Sequence, residues 1–433
     1  MIHYFNKAED VSVDNNPEND KSVDNKNTEK LGEENLNSSS DIESVNDEFA
    51  DNTEKEDTDS SKAASENKNK SMADDTEQKD NSSKVYRGPS VSLVMVGDIL
   101  LHTPVEESAL QEDGAYNFDA IFANTKEEIT AADIALVNQE VIIGGEELGV
   151  SGYPCFNAPY AAGDALINAG FDVICHATNH ALDQGKKGLK NCLNFWKNTY
   201  PETIVLGINQ TQEEQDNIYI YEQDGIKIAI LNYTYGTNGI ALPSEMPYAV
   251  NLLEEEKVLS DIQKAEEQAD FTIVCPHWGT EYQLEPSGEQ RRWTKLFLEN
   301  GVDLVLGTHP HVIEPVEYLV DKASGNEMLV YYSLGNFVNW TASSGEGIAN
   351  RMVGGMAEVT IGQNAQGDGY IIDYGVTAVV CHLKEGTNGV TVYPLSEYPE
   401  ALAAKNAITV QDHVFSKEYC ISLCNTVWGD MWK

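Results

Sequence analysis

The chain has no long apolar run, few basic residues and few cysteines among its 433 residues. No stretch approaches the roughly 20 consecutive apolar residues of a membrane-spanning helix, and the first ten residues lack the basic segment and apolar core of a secretion signal. As given, the sequence predicts a soluble chain. Its 28 basic and 71 acidic residues leave a formal net charge of −43, which argues against nucleic-acid binding driven by phosphate neutralisation. A polyanionic partner would need metal ions to bridge the repulsion.

The seven cysteines are dispersed, odd in number and mostly set in apolar runs. That pattern is typical neither of a disulfide framework nor of a zinc-thiolate site. We therefore predict buried free thiols, the usual state of such cysteines.

Residues 1–88 form a strongly acidic segment with 23 Asp and Glu, 11 Lys and Arg, and only 11 Leu, Ile, Val or Phe. Such a composition cannot bury enough apolar surface to offset the entropy of ordering, so we predict a disordered acidic tether. A tether of this kind is typical between a membrane or wall attachment and an external domain. We expect an extracellular protein, anchored through a segment upstream of this sequence; a solubilising tail on a cytoplasmic protein is the alternative.

From residue 89 to about 400, short apolar runs alternate with helical stretches, which predicts one large α/β domain. Predicted strands cover 91–96, 133–138, 171–177, 203–207, 271–277, 302–309, 328–334, 356–361, 370–380 and 389–393, with a hairpin turning at 223–225. Helices are predicted over 159–169, 185–198, 253–269 and 287–300. This mixed sheet content fits a two-sheet core flanked by helices. Residues 401–433 are predicted to be a C-terminal extension packed on the domain through Trp428, Met431 and Trp432.

Polar residues able to bind metal follow five of the predicted strands. The five segments are VGDILLH with Asp98 and His102, VNQE with Asn138 and Glu140, HATNHALD with His176, Asn179, His180 and Asp183, CPHWGTEY with His277 and Glu281, and GTHPH with His309 and His311. Side chains at the carboxyl ends of strands in an open α/β sheet converge on one crevice. Carboxylate, amide and imidazole ligands together suit one or two ions such as Mn²⁺, Fe²⁺, Zn²⁺ or Mg²⁺.

Each of these residues also has an ordinary structural explanation. Asp98 could cap a helix, His277 could be a satisfied core histidine, and His309 and His311 could belong to a rigid turn. Five strand ends carrying ligand-type residues together favour a metal site. Asn336, which follows another strand, could line that site or serve a Gly-Asn turn.

The ordered motifs G-D, N-x-E, T-N-H-x-L-D, P-H-W-G-x-E-Y, G-x-H-P-H and Y-S-L-G-N-F span roughly residues 90–340. This succession resembles the CapA family of capsule and poly-γ-glutamate synthesis proteins, itself similar to calcineurin-like metallophosphoesterases. The resemblance implies a four-layer α/β/β/α sandwich with two divalent metal ions at the top of the sheets.

The resemblance also implies roles for individual residues. The implied metal ligands are Asp98, Glu140, Asn179, His277, His309 and His311, with Glu140 as the bridging carboxylate. His180 would protonate the leaving oxygen, and Asp183 would hold the His180 ring. Residues expected to support the ligands are His102, Asn138, Glu281 and Asn336.

Two departures from the phosphoesterase pattern affect this assignment. The first histidine follows Asp98 at a spacing of four rather than two, so His102 could be a ligand, a hydrogen-bond donor to a ligand, or neither. Glu140 stands where an aspartate is usual, and its longer arm could alter the metal spacing.

The predicted function is a metal-dependent hydrolase of a phosphoester or γ-glutamyl bond, acting on a polyanionic cell-surface polymer or a phosphoester substrate. The alternative is a weakly catalytic accessory subunit in a polyglutamate synthesis and export complex with membrane subunits; a purely structural surface protein is a third class. Beyond residue 88 the chain holds 48 acidic and 17 basic residues, so a polyanion would depend on the metals and on local cations. Arg291 and Arg292, with Lys295, are the candidates, and Glu281 could instead pair with one of these arginines.

Overall fold

The computed structural model of the protein describes residues 88–384 and 389–432. The predicted tether therefore lies almost entirely outside the described residues and stays a prediction. Within the described ranges, no helix is both long and apolar enough to cross a membrane.

Fourteen strands and ten α-helices make up the described part of the chain. The strands are β1 (Ser90–Ile99), β2 (Ile134–Asn138), β3 (Val173–Cys175), β4 (Ile204–Leu206), β5 (Tyr219–Gln223), β6 (Ile226–Thr234), β7 (Phe271–His277), β8 (Leu304–Leu306), β9 (Val316–Val320), β10 (Glu327–Tyr331), β11 (Asn336–Val338), β12 (Val353–Gln363), β13 (Gly369–Leu383) and β14 (Val390–Pro394). The helices are α1 (Thr103–Ala109), α2 (Lys126–Ala131), α3 (Tyr160–Ala169), α4 (Gly185–Thr199), α5 (Gln212–Asp216), α6 (Glu255–Glu266), α7 (Gly288–Glu299), α8 (Glu400–Ala403), α9 (Ile408–Gln411) and α10 (Lys417–Trp428). Short 3-10 helices cover Asp119–Ile121, Glu146–Leu148 and Ala349–Met352.

The strands form two sheets. The first runs β14-β13-β12-β1-β2-β3-β4, with β11 also paired to β1, and the second runs β5-β6-β7-β8-β10-β9. Strands β1 to β4 are mutually parallel, as are β6, β7, β8 and β10. Antiparallel strands complete both sheets on their flanks. The parallel strands therefore bring their carboxyl ends to one edge of each sheet.

The alternation of side chains in β6 shows how the layers stack. Ile228 and Ile230 join the main apolar cluster, which the two sheets share. Ala229 and Leu231, pointing the other way, join a second cluster with Val258 and other residues of α6 and α7. The second sheet is thus buried on both faces, by the first sheet and by a helix layer.

Helices α3 and α4 cover the first sheet. Helix α4 is amphipathic and buries Leu189, Phe195 and Trp196 in the main cluster. Helix α7, on the second sheet, begins at a capping box in which Ser287 and Gln290 satisfy each other's backbone N–H groups. The predicted four-layer α/β/β/α sandwich is confirmed.

The last described residues pack against this sandwich. Trp428 of α10 is buried, and its indole donates a hydrogen bond of 3.0 Å to the Glu314 carbonyl. Trp432 and Met431 lie partly buried on the main cluster. Six of the cysteines are buried and Cys155 is exposed; all seven are free thiols, largely as predicted.

A close approach of two backbones places the first acidic ligand candidate. A Cβ added to Gly97 in β1 would collide with the carbonyl oxygen of Gly335, just before β11. Asp98 donates its backbone N–H to that carbonyl at 2.9 Å. In the sheet register, Asp98 lies between Asn138 of β2 and Asn336 of β11, at the edge where the parallel strands end.

Candidate metal centre

Two groups of three ligand-type side chains meet at this edge and share Glu140. One consists of Asp98, Glu140 and His311, and the other of Glu140, His277 and His309; within each, one ligand atom per residue lies within 4.8 Å of the others. All five side chains are buried. The first sheet supplies both carboxylates and the second sheet supplies the histidines, so the cluster forms only when the two sheets pack together.

Glu140 occupies the centre of the cluster. Its Oε1 lies 3.6 Å from His311 Nε2 and 3.7 Å from His277 Nε2. Both carboxylate oxygens are buried without a hydrogen-bond partner among the described residues. Burial, which outweighs the attraction of His311, raises the pKa of Glu140 well above its usual value, and Asp98 adds to the effect. A buried carboxylate without partners is costly unless a cation compensates it.

Asp98 and His311 form the first half of the cluster. His311 Nδ1 lies 3.0 Å from Asp98 Oδ2 and 3.1 Å from Asn336 Oδ1. Asn138 donates a hydrogen bond of 2.9 Å to the other oxygen of Asp98. Burial opposes a charge on His311, but the carboxylates of Glu140 and Asp98 outweigh it and raise the pKa of the ring to about 9.

His277 and His309 form the second half, and Asn179 adjoins it. Asn179 Oδ1 lies 2.9 Å from His277 Nε2, while His277 Nδ1 lies 3.1 Å from the Thr308 hydroxyl. His309 Nδ1 is buried without a partner among the described residues. Burial and the neighbouring histidines lower the pKa of both His277 and His309 well below the usual value. The lowered pKa favours the neutral form of both rings, which is the form of imidazole that binds a metal ion.

His180 and Asp183 lie beside the cluster as a hydrogen-bonded pair. Asp183 Oδ2 lies 2.7 Å from His180 Nδ1 and also accepts the Phe156 backbone N–H at 2.7 Å. The opposite ring nitrogen, His180 Nε2, lies 3.9 Å from Glu140 Oε1. The carboxylate thus fixes the orientation of the ring, and Nε2 faces the space in front of Glu140.

Unfavourable backbone conformations are concentrated around the cluster. Of the five non-glycine residues with positive φ in the described ranges, four lie here: Asn238 (50°), Tyr282 (66°), His309 (100°) and His311 (60°). The fifth, Asp224, belongs to the predicted hairpin turn. Strained conformations of this kind persist where surrounding structure holds a functional arrangement in place.

Of the residues expected to support the ligands, Asn138 and Asn336 contact them directly. Asn336 donates hydrogen bonds to the carbonyls of His311 and Arg351 at 3.0 and 3.1 Å. His102 lies further out, with its ring 5.1 Å from that of Phe156. Burial, together with the charges of His311, His180 and Arg351, lowers the pKa of His102 to about 4.

Other candidates from the sequence lie away from the ligands. His176 is a core histidine whose Nε2 accepts the Trp196 indole N–H at 3.1 Å; burial lowers its pKa to about 3. Glu281 is exposed, and no described ion pair joins it to a candidate ligand or to an arginine. Its side chain stays near the cluster, where its charge contributes to raising the pKa of His311.

The predicted substrate cations pair with acidic residues on or near α7. The Arg291 guanidinium lies 3.4 Å from Glu317, and Arg292 lies 3.1 Å from both Glu255 and Glu289. Lys295 faces Glu299 at 3.7 Å. None of the three contacts a candidate ligand within residues 88–384 and 389–432.

Sequence reasoning did not identify several side chains that line the cluster. Tyr235 lies with its ring 4.6 Å from that of His309. Asn238 accepts a hydrogen bond of 3.2 Å from Asn179 and lies 3.4 Å from His180 Nδ1. Both residues come from the loop after β6, which has no ligand motif. That strand ends in Asn-Tyr-Thr rather than in histidine or carboxylate, so only its position beside β7 could have indicated them.

The residues present fit a pair of divalent ions. Three buried ligand atoms of the second group, both oxygens of Glu140 and His309 Nδ1, have no partner in the described protein. Oxygen and imidazole donors without a thiolate suit Mn²⁺, Fe²⁺, Zn²⁺ or Mg²⁺. A carboxylate common to both groups is the arrangement expected of a bridging ligand.

The four-layer sandwich thus carries this ligand cluster at the carboxyl ends of its parallel strands. The family model of the bacterial capsule synthesis protein PGA_cap matches residues 92–341. The chain belongs to this family, which confirms the resemblance inferred from its motifs.

Two curated relatives and one solved structure are similar to this chain. The chain is 28% identical over 275 residues to the PGA biosynthesis protein CapA of Bacillus subtilis, and 27% identical over 263 residues to the capsule biosynthesis protein CapA of Bacillus anthracis. These alignments cover 60% and 58% of this chain, and 66% and 61% of the relatives, just under two thirds of each. A phosphatase from Mycoplasma pneumoniae matches with 16% identity and a TM-score of 0.41, covering 68% of this chain and 95% of that one.

Proposed function

We propose that this protein is a divalent-metal-dependent hydrolase that uses two ions to cleave a phosphoester or γ-glutamyl bond at the cell surface. The observation that carries the proposal is Glu140, which belongs to both ligand groups and whose two buried oxygens have no hydrogen-bond partner in residues 88–384 and 389–432. Native proteins rarely leave both oxygens of a buried carboxylate without a partner unless a further component completes the site.

Each ion would be held by one group of side chains. Asp98, Glu140 and His311 would hold the first ion; Glu140, His277 and His309, with the adjacent Asn179, would hold the second. When bound, such a pair of ions supplies an activated water and stabilises charge on the attacked group. Asn138 and the Thr308 hydroxyl orient Asp98 and His277, respectively, for this role.

His180 would serve as the proton donor to the leaving group. Asp183 holds the ring through Nδ1, which leaves Nε2 directed toward the cluster. A histidine at this position can deliver a proton to an oxygen or nitrogen as the scissile bond breaks. Phe156, packed edge-on against the His180 ring with centroids 4.6 Å apart, limits its rotation.

The names of the relatives, which are PGA and capsule biosynthesis proteins, support a capsule polymer as the substrate. The candidate pair of metal ions would suit a phosphoester equally well. Both substrates are anionic. Because the chain beyond residue 88 is strongly acidic, bound metal would be needed to attract either one. Membrane subunits of a synthesis and export complex are the proposed partners, and the acidic segment 1–88 would connect the domain to the membrane.

The first experiment measures metal content by elemental analysis, together with hydrolysis of a panel of phosphoesters and γ-glutamyl peptides. We compare the wild type, the Asp98→Ala/His277→Ala double variant, and the exposed-histidine control His413→Ala. We expect about two equivalents of metal and hydrolysis in the wild type and control, and the loss of both in the double variant. A wild-type protein that binds no metal and hydrolyses nothing would overturn the proposal in favour of an accessory subunit.

A further inference from the structure

Arg351 lies over Tyr282, near the candidate metal centre, and has no acidic partner among the described residues. It belongs to the 3-10 helix Ala349–Met352, beyond residues 92–341, which match the family. Its guanidinium carbon lies 3.5 Å from the centre of the Tyr282 ring. Its Nε is buried and has no hydrogen-bond partner among the described residues, and no described ion pair includes it.

The backbone of Arg351 is tied to the ligand loop. Asn336 donates to the carbonyls of both His311 and Arg351, so one amide side chain joins the 3-10 helix to a candidate ligand. Tyr282 is tied to the same loop, because its backbone N–H donates a bond of 2.7 Å to the Pro310 carbonyl. The Tyr282 and His311 rings lie 6.0 Å apart. The spatial order of these side chains toward the cluster is therefore Arg351, Tyr282, His311.

That no acidic partner for Arg351 occurs in the described part of the chain is informative in so acidic a protein. Beyond residue 88 the acidic residues outnumber the basic ones 48 to 17, and Arg291 and Arg292 each have a carboxylate within 3.4 Å. Arg351 instead lies over Tyr282 and close enough to His102 for its charge to contribute to lowering the pKa of that ring. A guanidinium held in this way offers a planar pair of donors to an oxyanion.

We propose that Arg351, held over Tyr282 by the Asn336 link to His311, is the residue that binds the anionic group of the substrate, a phosphate or a carboxylate, beside the metal centre. The proposal rests on the proposed function for the identity of the ligand. Tyr282, which is 42% exposed, would form the platform that keeps the guanidinium extended. Arg351 is thus proposed as a binding residue, and Arg291 and Arg292 as surface ion-pair residues.

The test uses the full 433-residue chain and measures binding as well as turnover. Mn²⁺ binding is titrated first, and inorganic phosphate and γ-glutamyl-glutamate are then titrated into Mn²⁺-loaded protein. The variants are Arg351→Gln, which removes the charge, and Arg351→Lys, which keeps the charge but loses the planar pair of donors. The charge-matched control is Lys264→Gln on the outer helix α6. Thermal melts of the metal-free proteins check that each variant folds.

We expect Arg351→Gln to bind Mn²⁺ like the wild type and to bind at least one anion roughly 10- to 100-fold more weakly, the usual loss for a charge-assisted hydrogen bond. Arg351→Lys should lie between the two, and Lys264→Gln should change binding less than about twofold. With any hydrolysed substrate, the effect should be larger on KM than on kcat. Selective loss for one anion would support the proposal and identify the substrate's anionic group.

Three outcomes would overturn this proposal. They are unchanged anion binding in Arg351→Gln, loss of Mn²⁺ from that variant, or a larger loss of anion binding in Arg291→Gln than in Arg351→Gln. If the wild type binds metal and anion through Arg351 but hydrolyses nothing, the hydrolase proposal fails while the role of Arg351 stands. The two proposals can therefore fail separately.

Discussion

Two groups of buried polar residues in this protein differ in how completely their polar atoms are hydrogen-bonded. Around Asn406, the side-chain amide donates to the Cys381 carbonyl and to the Tyr398 hydroxyl, and its oxygen accepts the backbone N–H groups of Leu383 and Ile408. The Tyr398 hydroxyl in turn lies 2.8 Å from His382 Nδ1. In this Asn406 network every buried side-chain nitrogen or oxygen has a hydrogen-bond partner.

The candidate metal centre is equally buried, but its hydrogen bonding is incomplete. Glu140 and His309 together leave three ligand atoms without partners among the described residues. Since a native protein rarely leaves buried polar atoms unpaired without a reason, the difference separates a structural network from a site that needs an additional component. Burial of polar residues alone would not have made that distinction.

The largest expected effect comes from Glu140→Gln, which removes the carboxylate common to both ligand groups. We expect loss of both ions and a fall in hydrolysis of about 10³-fold or more. The metal-free variant should unfold at the same urea concentration as the metal-free wild type or a higher one, because a neutral amide replaces a buried carboxylate without partners. Elemental analysis, rate measurements and urea unfolding in EDTA at pH 8 check these outcomes.

A marked loss of stability in the metal-free Glu140→Gln protein would contradict the comparison. It would mean that Glu140 has structural partners, as the residues of the Asn406 network do. Gln139→Ala is unsuitable as a control because Gln139 is also buried; the exposed Glu299→Gln is a matched one.

His180→Asn should have the next largest effect, and on the rate alone. His180 lies at the metal centre, yet its Nδ1 is paired with Asp183 and it belongs to neither ligand group. We therefore expect kcat to fall by about 10²- to 10⁴-fold, the usual contribution of a general acid, with both metal equivalents retained. Loss of metal from this variant would reassign His180 as a ligand. Asp183→Asn should change kcat in the same direction by a smaller factor, since the ring would remain.

Asn406→Ala should have the opposite effect to His180→Asn: it should lower the stability of the fold and leave metal binding and catalysis unchanged. It leaves two backbone N–H groups and one carbonyl without their partner and removes one of the two hydrogen bonds of the Tyr398 hydroxyl. We therefore expect a loss of about 2–4 kcal/mol in the free energy of unfolding. Metal content and kcat per folded molecule should stay at wild-type values. Urea unfolding measures the first and elemental analysis the second, with the exposed Asn194→Ala as the control. Loss of metal here would show that the two regions are coupled.

The contrast also explains what the sequence could predict. The parallel strands are short apolar runs with polar residues at their carboxyl ends, so both the four-layer fold and the convergence of Asp98, Glu140, His277, His309 and His311 follow from local pattern and motif order. Whether a buried polar atom finds a hydrogen-bond partner depends instead on residues that are distant in the sequence. The distant partners of Asn406 are Cys381 and Leu383 of β13, and no short motif indicates them.

The same limit applies to the cations and loops around the centre. Arg291 and Arg292 are adjacent on a helix that follows a motif, which made them the natural candidates for substrate binding, but the sequence does not show that Glu317 and Glu255 lie opposite them. Arg351 follows the last motif by fourteen residues. Its place near the centre is visible only in the folded structure, from the hydrogen bond that Asn336 donates to its carbonyl and from the contact of its guanidinium with Tyr282.

The smallest effect is expected for Glu106→Gln. This variant tests whether a buried polar atom without a hydrogen-bond partner always indicates a metal site. Glu106 of α1 is buried, its Oε1 has no partner in the described protein, and burial raises its pKa to about 8. Because this pKa is above the unfolded value of 4.5, the neutral acid is favoured in the fold. Its contribution to stability is complete below pH 4.5 and is lost as the pH rises through 8.

Glu106→Gln should therefore match the wild type near pH 4 and exceed its free energy of unfolding by about 1–3 kcal/mol near pH 9. Urea unfolding across this range, in EDTA, measures the difference, and the exposed Glu107→Gln is the control because it lies on the same helix. A flat difference across the range would mean that Glu106 finds a partner as it ionises. If the stability gain appears and metal content is unchanged, then Glu106 is a titrating core acid. A metal centre is then indicated by several buried ligand atoms without partners that converge, and not by one such atom alone.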